Sequence, residues 1–282
     1  MTPGLAAGLG LALVSAGALN WGYFAQHGAA STLPPLALRR PLASLRLLFG
    51  KARWLAGFFV GIAGWGVYVA ALTLAPLSLV QAASAGGIGL LALLVSRQAG
   101  LAPWERNGVV VSLAGLGLLA GSLSGHTSHG SGGSAWAVAA WVAVSLGIAG
   151  AAVLSRNAAA FGVAAGVLYA AGDVATKAAV HGGGRLAFVP VLLACHGPAF
   201  VSLQLGFQRG GALATAGVAT LFTNVLPIAA GTTLFGEGLG SLPWLRVLAF
   251  ALTVGGATLL ARPARRNPGP GSLALAGHSD TI

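Results

Sequence analysis

Nine stretches of this 282-residue chain are apolar for about twenty residues at a time, and nothing else in the sequence restricts its fold so strongly. The stretches are 4–26, 52–74, 77–96, 105–124, 136–154, 158–180, 186–208, 212–235 and 243–261. An α-helix rises about 1.5 Å per residue, so each is close to the ~20 residues that cross a hydrocarbon core. In lipid every backbone N–H and C=O must find its partner inside the protein, which leaves helices or a closed barrel. The stretches are too long and too evenly apolar for the alternating ten-residue strands of a barrel. The expected fold class is therefore all-α, a polytopic transmembrane bundle of about nine helices.

Composition agrees. Only 7% of the residues are charged, against roughly a quarter in a soluble domain, and 56% are hydrophobic. A formal charge of +11 would suit a nucleic-acid binder, but the basic residues lie between apolar runs rather than in a patch interleaved with exposed aromatics. No nucleic-acid partner is expected; the lipid bilayer is. The lone Cys195 lies inside an apolar run and is read as a small core residue.

The basic residues also give an orientation. Arg39, Arg40, Arg46, Lys51, Arg53, Arg97, Arg106, Arg156, Arg209, Arg262, Arg265 and Arg266 fall on one side, twelve of the fifteen. Lys177, Arg185 and Arg246 fall on the other. The expectation is a cell-membrane protein with an external N-terminus and a cytoplasmic C-terminus, its first span retained because it lacks a basic leader. Residues 33–50 are apolar yet hold three prolines and three arginines. With each mid-membrane Arg costing about 2.5–3.5 kcal/mol, an interfacial helix is favoured there, its stripe formed by Leu38, Leu42, Leu45 and Phe49. A tenth span is the alternative. The loop His126–Ser134 has no full charge, and the tail beyond Pro263 is expected to be disordered.

The two halves resemble each other. Pro103-Trp104-Glu105-Arg106 pairs with Pro243-Trp244-Leu245-Arg246, and Gln26-His27-Gly28 with Val180-His181-Gly182. Spans one to four thus map onto six to nine. With an odd helix between them, the second copy is inverted relative to the first. The expected organisation is a first repeat over 1–125, an external loop and linker span over 126–157, a second repeat over 158–262 and a tail over 263–282. Inverted repeats recur in secondary transporters, which bind solute where the repeats meet.

Trp54-Leu55-Ala56-Gly57 followed by Ala71-Leu72-Thr73-Leu74-Ala75-Pro76-Leu77-Ser78-Leu79-Val80-Gln81 resembles a helix junction of the drug/metabolite transporter superfamily, in its EamA-like branch. It is also similar to the same junction of the NIPA-like magnesium transporters, with Ala82 where those have proline. Phe235-Gly236-Glu237 is similar to another helix ending of the superfamily; the first half has Ser96-Arg97 at that place. The resemblance implies transport without naming a substrate.

Candidate site residues are the polar ones inside apolar runs, which are costly there and tend to face a cavity or a partner. Asp173 and Lys177 stand at i and i+4, beside Tyr169 and Thr176. Two readings remain open: a self-neutralising pair near the external surface with Lys177 snorkelling outward, or a cation or proton acceptor gated by Lys177. Asn20, with Trp21 and Tyr23, is the repeat counterpart. Thr220, Thr223 and Asn224 share a helix face ahead of Pro227, with Gln81 and Ser84 related to them by the repeat. These either line a cavity or join helices by hydrogen bonds. His196 beside Cys195 reads as a core histidine, and Glu237 as a residue near the external interface. The GxxxG pairs Gly57/Gly61 and Gly162/Gly166 favour close packing within one chain or in a homodimer.

Walker loops, metal-ligand clusters and supported nucleophile–base pairs are missing from the sequence, so neither an enzyme nor a cofactor is expected. The leading expectation is a secondary transporter of a small solute working by alternating access, with cation or proton coupling through Asp173. The alternatives are a divalent-cation transporter or channel and a non-transporting scaffold or accessory subunit.

Overall fold

Helices form where the apolar windows predict them. The computed structural model describes residues 3–36, 41–123, 133–237 and 243–262. Leu38, Arg39, Arg40, His126, His129 and the expected tail lie outside these. In the first half, α1 is Pro3–Ala30, α2 Pro41–Phe49, α3 Ala52–Leu74, α4 Leu77–Ser84, α5 Gly87–Ala99 and α6 Pro103–Leu123. Helix α7, Ala135–Val153, stands between the halves. The second half has α8 at Ala158–Ala179, α9 at Phe188–Phe207, α10 at Val218–Thr233 and α11 at Pro243–Leu260. Among the described residues, seven segments have the length and hydropathy of a membrane span, α4 and α5 counting as one. The fold is a multi-pass membrane helix bundle.

Two windows differ from expectation in an informative way. The third, expected as one helix over 77–96, breaks at Ala85 and Gly86 into α4 and α5. The eighth, which the expected repeat would relate to it, opens with a π-helical turn, Leu213–Gly217, ahead of α10. In both cases small residues remove the side-chain packing that holds a helix in register, as Ala85-Gly86-Gly87 and Ala214-Thr215-Ala216-Gly217 do here. The expected surface helix over 33–50 narrows to α2. At nine residues it is about 13 Å long, less than half a hydrocarbon core, so by itself it does not span. Leu42, Leu45 and Phe49 of the expected stripe are exposed.

α1 packs along α3, α8 along α9, and α8 also along α10. α6 and α11, each opening with Pro-Trp-x-Arg, lie against one another. α4 lies against α10, so the third elements of the two halves meet. Close approach relies on glycine: a Cβ on Gly57 would stand 2.8 Å from the Gly22 carbonyl of α1. One on Gly166 would stand 2.6 Å from the Ala219 carbonyl of α10. Both GxxxG pairs are thus used within the chain.

Candidate functional site

Three helices of the first half and three of the second enclose a cavity of about 400 Å³. Asn20 and Tyr23 of α1, Tyr68 of α3, and Gln81 and Ser84 of α4 line one side. Tyr169 and Asp173 of α8, His196 of α9, and Thr220, Thr223 and Asn224 of α10 line the other. The repeat expected from the sequence would relate α1 to α8, α3 to α9 and α4 to α10, and all six line this space. Nine of the sequence candidates therefore share one space. Trp21 does not; it points outward, 39% exposed.

Asp173 is the only carboxylate among the described lining residues. Its Oδ2 accepts from Gln81 Nε2 at 3.0 Å, and the same amide reaches the Tyr68 hydroxyl at 2.7 Å. Oδ1 lies 3.8 Å from His196 Nε2. His196 Nδ1 meets the Leu192 carbonyl at 2.8 Å and, since a carbonyl only accepts, must carry the hydrogen. In the neutral ring, Nε2 therefore presents its lone pair toward Asp173. The imidazole also meets Trp65 and Tyr169 edge-on, centroids 5.6 and 5.5 Å away. Below them, Asn20 Nδ2 donates to the Ala16 carbonyl and Asn224 Nδ2 to the Thr220 carbonyl, at 2.9 and 2.7 Å. Thr220 reaches Asn20 Oδ1 at 3.4 Å, while Asn224 Oδ1 is buried with no partner.

Lys177 corrects the sequence reading. It neither pairs with Asp173 nor snorkels outward; it is 3% exposed and its Nζ lies 3.9 Å from Glu237 Oε1. Glu237 is itself buried rather than solvated at an interface. Its two oxygens accept from the backbone N–H groups of Leu77 and Ser78, at 2.7 and 2.8 Å. A carboxylate from the loop after α10 thus caps the N-terminus of α4, where four amides lack intrahelical partners and the helix dipole favours negative charge. Lys177 and Ser78 stand about one helical turn from the lining residues Asp173 and Gln81, so this cluster lies just beyond one end of the cavity.

Toward the other end, where Gln26, Phe58 and Phe200 line the cavity, the contacts are amide and aromatic. Gln204 of α9 donates to Gln26 Oε1 of α1 at 2.6 Å and accepts from Trp54 Nε1 of α3 at 3.0 Å. Trp54 stacks on Phe58 with centroids 5.2 Å apart, and Phe58 meets Phe200 at 5.6 Å. Nearby, His27 Nε2 meets the Gly210 carbonyl at 3.2 Å, and Gln208 holds the backbone of Leu36 and Pro34.

Sequence reasoning missed His196, Gln26, Gln204 and the aromatic side chains Trp65 and Tyr68. The two glutamines carried a usable signal, since an amide within an apolar run must find a partner. In the sequence His196 reads as a core residue because its neighbour Cys195 points to another helix face, and only the fold brings it to Asp173. Compared with known proteins, the chain matches no family model, no curated protein and no solved structure.

Proposed function

We propose that the protein is a secondary transporter that carries a small solute by alternating access between two inverted four-helix repeats. The observation that carries this reading is the cavity at the seam of the halves, with polar residues contributed from repeat-related helices. The two closures, Glu237 with Lys177 at one end and Gln204 with Gln26 at the other, suit the gates such a cycle needs. On this reading the chain crosses the membrane nine times, with the basic loops on the cytoplasmic side, the N-terminus outside and α2 on the cytoplasmic leaflet. The resemblance to the EamA-like branch of the drug/metabolite transporters points the same way. No chemistry on the solute is involved, and Asp173 serves as the proton or cation acceptor for coupling.

The rival readings have less support. A divalent cation takes about six oxygen ligands, and the described lining offers one carboxylate, with no group of three metal-ligating side chains among the described residues. A scaffold has no use for a cavity into which polar side chains converge.

Alternating access is tested without knowing the solute. Thr220→Cys, in a Cys195→Ser background, puts a thiol in the cavity. A membrane-impermeant maleimide is expected to label it both in right-side-out and in inside-out vesicles. Labelling from neither side, or from one side alone, would sink the proposal. Replacing Asp173 by Asn tests the coupling: unchanged pH-driven uptake in proteoliposomes would remove that part.

A further inference from the structure

Resting on the transporter reading, the cavity's chemistry narrows its solute. We propose that the site binds an organic ammonium ion with an apolar, aromatic-sized body, its N–H groups held between Asp173 Oδ1 and His196 Nε2.

Charge comes first. A carboxylate lines the cavity, and no Lys or Arg does among the described residues. The nearest ammonium, Lys177, is engaged with Glu237 one helical turn away. A carboxylate enclosed at membrane depth takes up either a proton or a counter-charge, and among the described residues no Lys or Arg supplies the latter inside this space.

Hydrogen-bonding capacity points the same way. The amide and imidazole donors around Asp173 are already engaged: Asn20 and Asn224 give theirs to carbonyls, Gln81 to Tyr68 and Asp173, and His196 Nδ1 to Leu192, while the Tyr23, Tyr68 and Tyr169 hydroxyls are neutral groups that can accept as well as donate. Acceptors remain, namely Asp173 Oδ1, His196 Nε2 and the unpartnered Asn224 Oδ1. The Trp65 indole N–H is left over as a neutral donor and does not offset the carboxylate. Two acceptors 3.8 Å apart can both be reached by one nitrogen carrying two or more hydrogens. An anion would meet a carboxylate and lone pairs at the same place.

The walls describe the rest of the ligand. Tyr23, Trp65, Tyr169 and Phe200 supply aromatic surfaces, which favour a cation near the head group and an apolar body beyond it. The cavity also extends between α3 and α9 to Ile62 and Leu193, which are 53% and 60% exposed. In a membrane that gap faces lipid, a route suited to an amphipathic ion.

The test uses three probes with similar bodies and different heads: 2-phenylethylammonium, 2-phenylethanol and 3-phenylpropionate. Binding is measured by titration calorimetry at pH 7 on the purified full-length protein in detergent. The ammonium is expected to bind at least about tenfold more tightly than the alcohol, and the carboxylate to show no binding. Asp173→Asn should abolish the preference while the alcohol's weak binding persists. His196→Gln and Phe200→Leu, which leave the carboxylate in place, should each weaken the ammonium by about threefold to tenfold. Equal or tighter binding of the carboxylate, an undiminished preference in Asp173→Asn, or no binding of any probe by protein that melts cooperatively would overturn the assignment. Because binding is read without transport, failure here leaves the thiol-labelling result standing, and the reverse also holds.

Discussion

The two ends of the cavity are closed by different physics. At the end where α4 begins, closure is ionic and buried: Glu237 holds Lys177 and two backbone amides, and the side chains of the pair are 0% and 3% exposed. At the basic end, closure is neutral, made by the amides of Gln26 and Gln204 and the ring stack of Trp54 and Phe58. In a low-dielectric setting a buried ion pair is held firmly while dry, and its parts become separately stable once water reaches them. An amide pair gains and loses less in either state. One end is thus an all-or-none closure sensitive to hydration, and the other a graded one that depends on packing.

Substitutions can break or sharpen this contrast. The largest effect is expected for Glu237→Ala, which strands Lys177 and two amides of α4. A loss of about 3–5 kcal/mol should appear in SDS-titration unfolding of the purified protein. Lys177→Met should cost less, about 1–3 kcal/mol, because Glu237 keeps both backbone donors. In the double mutant Lys177→Met/Glu237→Gln the two losses should fall well short of additive, the sign of direct coupling. Gln204→Leu removes one hydrogen bond to Gln26 and one from Trp54, and about 1–2 kcal/mol should go with them. In the Thr220→Cys assay it should speed labelling from the basic end alone, whereas Glu237→Gln should speed it from the opposite end. A Gln204→Leu effect larger than that of Glu237→Ala would invert the comparison. Trp21→Leu, on the outer surface, should stay within about 0.5 kcal/mol of the parent.

Much of this was legible in the sequence because the bilayer imposes a simple rule. Apolar length decides where helices form, and every expected window carries one. Polarity inside a window decides what faces inward, and Asn20, Gln81, Asp173 and Thr220 all line the cavity. The failures over Lys177, Glu237 and His196 share one cause: they concern partners distant in sequence. Lys177 has an acid four residues away, yet it pairs with one sixty residues on, because the leading amides of α4 hold Glu237 within its reach while Gln81 and His196 stand at Asp173. No local pattern encodes such a choice. The break between α4 and α5 was missed for another reason. Hydropathy is insensitive to Ala85-Gly86-Gly87, whose lack of bulk is what lets the helix interrupt.

The Glu237 cap also bears on biosynthesis. The amide of Leu77 waits for a carboxylate 160 residues further along the chain. During synthesis α4 therefore emerges into the membrane with its leading amides unsatisfied and can take its final position only when nearly the whole polypeptide has been made. Nascent chains arrested before Glu237 should keep that segment loosely seated, a state open to proteolysis that the completed chain closes.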